Sequence, residues 1–260
     1  MSFPAISFLI ISKDNCSELV RTFNSICMQM SCFDELLIVD SSSTSNVRNF
    51  LSPFTSAKAN ITYMHIPPNG VYDAQNHCVS NAKNDWICFI NSGDILLESG
   101  RIIIQNTMAL RSMYNVFVFG QYFAFSPSSP RASFIPSDVS LWPHQSIVYK
   151  RELHNKYGEY NASFRYCADQ IFFAEIRKYE PYFISNQITT LFFTDGLSSS
   201  FSFAYSKELW RLYRILRYNI LKSLLLSFIL PSFKAFLKLF LPNYTIHKLQ
   251  AVVTSYRSQK

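Results

Sequence analysis

The chain has 260 residues, of which 48% are hydrophobic and 16% are charged, against about 25% charged in an average soluble domain. This length allows one large domain or one domain with an appendage. The six cysteines show no spacing typical of a metal site or of disulfides, so we expect them to be reduced core residues of an intracellular protein. The net charge of +7 is unevenly distributed, because ten Lys/Arg and one acid lie from residue 205 onward. The basic residues are confined to this C-terminal stretch, which is otherwise apolar, and this disfavours a general nucleic-acid-binding function.

Short apolar runs alternate with helical patterns in the first third of the chain. The runs predict strands at 5–11, 36–40, 61–66 and 86–90, and the spacing of apolar residues predicts helices at 17–30, at 46–51 and from 69 onward. Pro53 is expected to end the second of these helices. Strands that alternate with helices predict a mostly parallel central sheet covered on both faces, a Rossmann-like α/β fold.

The pattern is looser after residue 94. It predicts helices at 100–111 and 169–179, and strands at 116–125, 146–149 and 189–193. A basic, aromatic helical region follows from about Phe203, with Arg211, Arg214 and Arg217 on one face and leucines on another. This composition is typical of helices in an anionic membrane interface, and the alternative is a solvated appendage packed on the core. We therefore predict a catalytic domain at 1–202 and a membrane-surface tail at 203–260, with neither a signal peptide nor a transmembrane helix.

Two of the predicted strands end in a carboxylate. Asp40 closes the second strand and precedes a run of serines, while Asn91-Ser92-Gly93-Asp94 follows the strand at 86–90. Parallel α/β sheets bind ligands at the carboxyl ends of their strands, so Asp40 and Asp94 are candidate site residues. The alternative for Asp94 is a plain Ser-Gly-Asp turn, and for Asp40 a helix or turn cap.

An ordered set of motifs across residues 5–200 resembles the family 2 glycosyltransferases with a GT-A fold, in particular the bacterial branch acting in exopolysaccharide, capsule and O-antigen synthesis. The set comprises Ser12, Ile38-Val39-Asp40, the block from Asn69 to Asn76, Phe89-Ile90-Asn91-Ser92-Gly93-Asp94, His144-Gln145, Cys167-Ala168-Asp169-Gln170 and Gly196-Leu197-Ser198. No single motif is decisive, but the 69–76 block followed by Asn91 to Asp94 is specific in combination.

The resemblance implies an inverting glycosyl transfer. Asp169 matches the family's general base, which takes the proton from the attacking acceptor hydroxyl. Asp94 matches a carboxylate that anchors a divalent cation, Mn²⁺ or Mg²⁺, on the donor diphosphate. Asn91 stands where the family often has the first Asp of an Asp-x-Asp motif, so this chain offers fewer carboxylates to the metal.

The resemblance also assigns binding residues and partners. Donor-binding residues are Ser12, Asp40, Asp73, Asn76, Asn91 and Ser92, and the acceptor or diphosphate side holds His144, Gln145 and Ser198. The implied donor is a nucleotide sugar, UDP-hexose above all, and the implied acceptor is a saccharide on a polyprenyl diphosphate. Such an acceptor would place the enzyme at the inner face of the cell membrane, and the basic aromatic tail fits an anionic lipid surface.

Two other functions stay open. A nucleotidyltransferase on a related sheet would carry a glycine-rich phosphate loop after the first strand, and residues 12–17 contain no glycine. A degenerate transferase serving as a membrane-bound assembly subunit is favoured by the missing acids at Ser41, Asn91 and Ser92, and disfavoured by the presence of Asp40, Asp94 and Asp169. The oligomeric state is not indicated by the sequence.

Overall fold

The computed structural model describes residues 4–124, 131–137, 141–193 and 202–232. Strands and helices alternate through the first half as predicted. In chain order they are β1 (Ile6–Ser12), α1 (Cys16–Cys27), β2 (Glu35–Asp40), α2 (Asn46–Ala57), β3 (Ile61–His65), α3 (Val71–Asn81), β4 (Trp86–Phe89), β5 (Ile95–Leu96) and α4 (Gly100–Ala109).

The second half contributes longer strands and the C-terminal helices. Its elements are β6 (Val116–Ala124), β7 (Ala132–Phe134), a 3₁₀ turn (His144–Ser146), β8 (Ile147–Lys150), α5 (Leu153–Tyr157), α6 (Ala168–Ile176), β9 (Tyr182–Phe193), α7 (Phe203–Ile215), α8 (Ile220–Leu224) and a π-helical turn (Leu225–Ile229). None of the helices in the described ranges is long and apolar enough to cross a membrane.

The described strands form one sheet in the order β3-β2-β1-β4-β8-β6-β9-β5, with β7 beside β6. The strands β3, β2, β1 and β4 are mutually parallel, as predicted for the first part of the chain. Beyond β4 the sheet is mixed, because β8 pairs antiparallel with both β4 and β6 while β6 and β9 are parallel.

Each face of the sheet carries its own buried core. Phe8 and Ile10 of β1 pack with α1 and α2, while Leu9 of the same strand packs with α3 and α6 on the opposite face. Successive residues of a strand point to opposite faces, so a fully apolar strand must be covered twice. The α/β fold with helices on both faces is thus confirmed.

The structure corrects three local predictions. Helix α2 continues through Pro53 to Ala57 instead of ending there, because the apolar face of Val47 and Leu51 is fully buried and outweighs one missing backbone hydrogen bond. The two-residue strand β5 was not predicted. Strand β9 begins at Tyr182 rather than near 189, because Tyr182, Phe183 and Ile184 pair with β6 and the polar residues 185–187 interrupt the apolar pattern without ending the strand.

The predicted boundary at 202/203 coincides with the start of α7. Helix α7 packs on α6 through a small apolar cluster of Cys167, Ala174, Leu209, Leu212 and Tyr213. After α7 the apolar side chains of Ile220, Leu221 and Ile229 are mostly exposed. The rest of the predicted tail, 233–260, lies outside the described residues.

A buried ion pair ties α4 to the sheet. The Arg101 guanidinium donates to both carboxylate oxygens of Asp34, each at 2.8 Å. The same carboxylate accepts the backbone N–H groups of Ile6 and Ser31, at 2.9 and 2.7 Å. Because Asp34 is about 1% exposed, it could not be rehydrated if Arg101 were lost.

We expect Arg101→Ala to lower the free energy of unfolding by about 3 to 5 kcal/mol, because it strands the buried Asp34 carboxylate without its cation. Urea unfolding followed by circular dichroism measures this loss. Lys178→Ala is the control, since Lys178 pairs with a half-exposed Glu175 and should cost less than about 1 kcal/mol. Equal losses of unfolding free energy in the two variants would show that the buried pair contributes no more to stability than the exposed pair.

Candidate active site

The turn that joins β4 to β5 holds three predicted site residues, Asn91, Ser92 and Asp94, at the carboxyl end of the parallel strands. The N–H of Asp94 donates to the Asn91 carbonyl at 3.0 Å, which closes a tight turn over Ser92 and Gly93. Gly93 has a φ of +108°, a left-handed conformation that favours glycine over any residue with a side chain. The one glycine in this motif is therefore required by the shape of the turn.

Helix α1 holds this turn in place. The Thr22 hydroxyl donates to the carbonyl of Asp94 at 2.7 Å and accepts from the N–H of Gly93 at 2.9 Å. The Arg21 guanidinium donates to the Gly93 carbonyl at 3.2 Å. These contacts fix the backbone, and they leave the Asp94 side chain to face the end of β9, where its Oδ1 accepts from the N–H of Phe193 at 3.3 Å.

The oxygen atoms of this turn fit a hard divalent cation. Asp94 is 5% exposed, and the neighbouring buried atoms Asn91 Oδ1 and Ser92 Oγ make no hydrogen bond to any described residue. Carboxylate, amide and hydroxyl oxygens are the ligands that Mg²⁺ and Mn²⁺ accept. No group of three His, Cys, Asp or Glu side chains converges in the described ranges, so an ion here would depend on Asp94, on the neutral oxygens of Asn91 and Ser92, and on ligands other than these three side chains.

The donor side begins at the neighbouring strand ends. Ser12 and Asp40 are register partners in the parallel pair β1–β2, so both lie at the carboxyl edge of the sheet. Asp40 is fully buried. Its Oδ1 accepts from the Ser42 hydroxyl at 2.6 Å and its Oδ2 from the Tyr63 hydroxyl at 3.1 Å. The carboxylate is thus held rigidly at the strand end.

An open groove of about 390 Å³ lies beside Asp40, between α2 and the edge strand β3. It is lined by Arg48, Ser52, Thr55, Tyr63 and His65. The ring of His65 reaches Asp40 Oδ2 at 3.7 Å, and His65 is the register partner of Asp40 across the sheet. The sequence prediction missed Tyr63 and His65, although counting along the parallel strands β2 and β3 could have placed them here.

The two α3 residues predicted to bind the donor differ in their surroundings. Asp73 is partly exposed and lies 4.0 Å from the ring of His77, one turn along the helix. Asn76 uses both ends of its amide on the backbone of Tyr160, donating to the carbonyl at 2.8 Å and accepting from the N–H at 3.0 Å. This pair of bonds joins α3 to the segment before α6, so Asn76 has a structural role whether or not a donor reaches it.

Asp169 lies in the first turn of α6 and receives a hydrogen bond from another part of the chain. The hydroxyl of Tyr72, in the first turn of α3, donates to Asp169 Oδ1 at 2.7 Å. The other oxygen, Oδ2, faces His144 Nδ1 at 3.9 Å and the side chain of Gln170 at 3.4 Å. The Asp169 side chain is 13% exposed, so one carboxylate edge remains open to a ligand.

Burial fixes the protonation of the groups around Asp169. Burial raises the pKa of Tyr72 well above its ordinary range, and the Asp169 carboxylate raises it further, so Tyr72 stays a hydrogen-bond donor. Burial lowers the pKa of His144, with Asp169 opposing this in part. We therefore treat His144 as neutral at pH 7, which rules it out as a fixed positive charge beside Asp169.

Behind His144 a chain of buried polar groups leads away from the carboxylate. His144 Nε2 contacts the Tyr160 hydroxyl at 3.2 Å, Tyr160 contacts the Tyr149 hydroxyl at 2.7 Å, and Tyr149 contacts His154 Nε2 at 3.0 Å. A negative carboxylate favours the His144 proton on Nδ1, which leaves Nε2 to accept from Tyr160. With His144 in this tautomer, Tyr160 would donate to His144 and Tyr149 to Tyr160, and the direction of each bond depends on the tautomers of the two histidines.

The two ends of the candidate site meet at the end of β4. The ring of His144 packs on Phe89 with centroids 4.9 Å apart, and Phe89 closes β4 two residues before Asn91. Gln145 is partly buried beside His144. Ser198 and its glycine-containing loop lie outside the described residues. Asp94 thus lies in the turn that follows β4, and Asp169 faces His144, whose ring packs on the last residue of the same strand.

We expect Asn76→Ala to lower the free energy of unfolding by about 2 to 3 kcal/mol, because two hydrogen bonds are lost and the Tyr160 backbone is left unpaired. Asn81→Ala on the same helix is the control, since Asn81 is exposed and bonds only within its own helix. Chemical denaturation of both variants measures the difference. An Asn76→Ala variant as stable as Asn81→Ala would contradict the structural role.

Comparison with known proteins supports the fold and the motifs. The family model described as Glycosyl transferase family 2 matches residues 7–176. The PGL/p-HBAD biosynthesis glycosyltransferases of Mycobacterium bovis and Mycobacterium tuberculosis are 28% identical over 175 residues, covering 65% of this chain and 68% of theirs. The name PGL/p-HBAD biosynthesis glycosyltransferase describes the activity of the mycobacterial proteins.

Two solved structures share the fold at low sequence identity. The S. aureus TarS 1-349 structure in complex with UDP-GlcNAc has a TM-score of 0.64 at 12% identity, covering 85% of this chain and 66% of TarS 1-349. The mannosyltransferase PcManGT from Pyrobaculum calidifontis, in complex with GDP-Man and Mn²⁺, has a TM-score of 0.63 at 10% identity, covering 84% and 66%. This chain thus spans slightly less than two thirds of either structure. Because the family model covers most of the chain and the sheet carries the family's motifs at its strand ends, the protein belongs to glycosyl transferase family 2.

Proposed function

We propose that this protein transfers a hexose, with inversion, from a nucleotide sugar to a lipid-linked oligosaccharide in the synthesis of a bacterial surface polysaccharide. The observation that supports this most is the placement of two carboxylates around the end of β4. Asp94 lies in the turn after β4, where we assign the donor. Asp169, hydrogen-bonded to Tyr72, faces the His144 ring that packs on the end of β4, where we assign the acceptor. An inverting displacement needs one group on each side of the anomeric carbon.

On the acceptor side, Asp169 is proposed as the general base. The acceptor oxygen forms its bond to the anomeric carbon while the bond from that carbon to the diphosphate oxygen breaks. The acceptor proton moves to the exposed edge of the Asp169 carboxylate, and the bond pair of the leaving oxygen stays with the diphosphate. The Tyr72 hydroxyl, which remains protonated, holds Oδ1 so that the carboxylate cannot rotate away from the acceptor.

On the donor side, Asp94 with Asn91 and Ser92 is proposed to hold Mn²⁺ or Mg²⁺. When bound, the ion would neutralise charge on the departing nucleoside diphosphate. One carboxylate makes a weak protein site, so the donor phosphates and water complete the coordination. The Mn²⁺ complex of the PcManGT neighbour supports a divalent cation in this fold.

The nucleotide is proposed to lie along the ends of β1 and β2, against Ser12 and Asp40, with Asp73 and Asn76 of α3 on its other side. The groove lined by Tyr63 and His65 opens beside Asp40 and offers further polar contacts. A UDP-sugar is our first choice of donor, and the UDP-GlcNAc complex of TarS supports it. Because PcManGT was solved in complex with GDP-Man, GDP-mannose is the second donor to compare with the UDP-sugars.

The acceptor is proposed to be carried by a polyprenyl diphosphate at the inner face of the cell membrane. His144, Gln145 and Ser198 are proposed to face this acceptor or the diphosphate. The mostly exposed Leu221 and Ile229, near Lys222, would enter the lipid interface while basic residues of the tail face anionic head groups. This makes the protein peripheral to the membrane.

A second function has one observation in its favour. Asn91 and Ser41 replace acids that the family often carries, as expected of a transferase that has lost activity and acts as an assembly subunit. Such a protein would bind donor weakly and turn over none. An assay that measures both donor binding and donor turnover therefore separates the two functions.

We expect turnover of UDP-GlcNAc, UDP-glucose or GDP-mannose in the presence of Mn²⁺, measured as release of the nucleoside diphosphate. Asp169→Asn should lower kcat by about 10² to 10⁴-fold with the KM for the donor unchanged, because it removes the base and not the donor contacts. Asp94→Asn should instead raise the Mn²⁺ concentration needed for half-maximal rate.

Asp85→Asn is the matched control, since Asp85 is exposed at the opposite end of β4. It should behave like the unaltered chain. Full activity in both Asp169→Asn and Asp94→Asn would contradict the assigned roles. Donor binding with no turnover by the unaltered chain would favour the assembly subunit instead.

A further inference from the structure

A glutamate of the C-terminal helices binds the backbone next to Asp169. Glu208 lies on α7, and its carboxylate accepts three consecutive backbone N–H groups. These are Arg165 N–H to Oε1 at 2.8 Å, Tyr166 N–H to Oε2 at 2.7 Å and Cys167 N–H to Oε2 at 3.1 Å. Bonds from backbone amides to a charged carboxylate are among the stronger ones in proteins.

These three amides lead directly into α6. Cys167 is the residue that caps α6, its side chain makes no capping bond, and Asp169 is the second residue of the helix. Successive N–H groups that point to one spot form a concave anion site, and the partial positive charge of a helix N-terminus strengthens it. Glu208 occupies that site, so the start of α6 is fixed from outside the helix.

Side-chain contacts hold α7 against the same segment. The rings of Tyr166 and Tyr205 meet edge to face with centroids 5.4 Å apart. The Arg211 guanidinium lies over the ring of Phe164 at 5.6 Å. Together with the apolar cluster between α6 and α7, these contacts hold the Glu208 carboxylate in register with residues 165–167.

Glu208 lies outside the stretch that matches the family model, which ends at residue 176. In the sequence it is the single acid of a basic tail, with no neighbouring motif that marks it. Its partners are 41 to 43 residues away in the chain, so only the folded structure shows them.

We propose that Glu208 is a positioning residue that holds the first turn of α6 so that the Asp169 carboxylate meets the acceptor hydroxyl. This inference rests on the proposed function, because it assumes that Asp169 is the base. A displacement of about 1 Å at a reacting group can cost about 10²-fold in rate. Helix α7, which carries Glu208, is followed after the turn at 216–219 by α8 and its exposed apolar residues, so the residue that positions the base and the proposed membrane-facing segment are neighbours in the chain.

The test compares Glu208→Ala and Glu208→Gln in the full chain, with donor turnover and Mn²⁺ as above. Glu208→Ala should lower kcat by about tenfold or more with the KM for the donor unchanged, because the donor contacts lie at other strand ends. Glu208→Gln keeps one acceptor oxygen and should lose less. If Glu208→Ala does not fold, Glu208→Gln alone tests the inference.

A residue that acts through Asp169 has a distinct signature. In an Asp169→Asn background, Glu208→Gln should cause no further loss of the residual rate, as non-additive pairs do. Glu175→Ala is the control, since Glu175 lies on α6 with a half-exposed side chain and pairs only with Lys178 among the described residues.

Two results would overturn the inference while leaving the proposed function intact. One is an unchanged kcat in folded Glu208→Gln and Glu208→Ala. The other is an equal loss in the presence and absence of the Asp169 carboxylate, which would mean a general structural role. No turnover of any donor by the unaltered chain would instead contradict the proposed function, and this inference with it.

Discussion

The parallel pairing of β1 with β2 and β4 is the constraint on which the site depends. Ser12 pairs with Asp40 across one side of β1, and the Ile90 N–H donates to the Leu9 carbonyl at 3.0 Å on the other. Parallel strands end at the same edge of a sheet, so this register places Asp40 and the turn that carries Asp94 at one edge, on either side of the end of β1. Two buried cores hold the register, because a slip by one residue would exchange the two faces of each strand.

The Asp169 carboxylate shows what the second half of the chain adds. Its partner Tyr72 is 97 residues away and begins the helix that follows β3. The chain from His144 through Tyr160 and Tyr149 comes from the 3₁₀ turn, β8 and the loop before α6. A neutral, buried set of hydrogen-bonding groups suits a carboxylate that must accept a proton, because it orients the carboxylate without adding a competing positive charge.

Local patterns predicted the first half of the fold and the strand-end residues. Apolar runs located β1, β2 and β4, and a lone glycine marked the turn before Asp94. The predictions failed where a strand depends on distant pairing. The two residues of β5 have no pattern of their own, and β9 continues through its polar residues 185–187 because β6 pairs with it on both sides of them. Tyr160 and Glu208 could not be assigned for the same reason, since each matters through a partner that only tertiary structure supplies.

The central claim is that Asp94 and Asp40 face one bound nucleotide sugar at the sheet edge, with Asp169 across from them. Crystals of the unaltered chain grown with UDP-GlcNAc and Mn²⁺, and measured with the anomalous signal of manganese, test it most directly. We expect a manganese peak within coordinating distance of the Asp94 carboxylate, uridine beside Asp40, and the sugar between the metal and Asp169. A metal and nucleotide bound elsewhere, with Asp94 and Asp169 untouched, would contradict the claim.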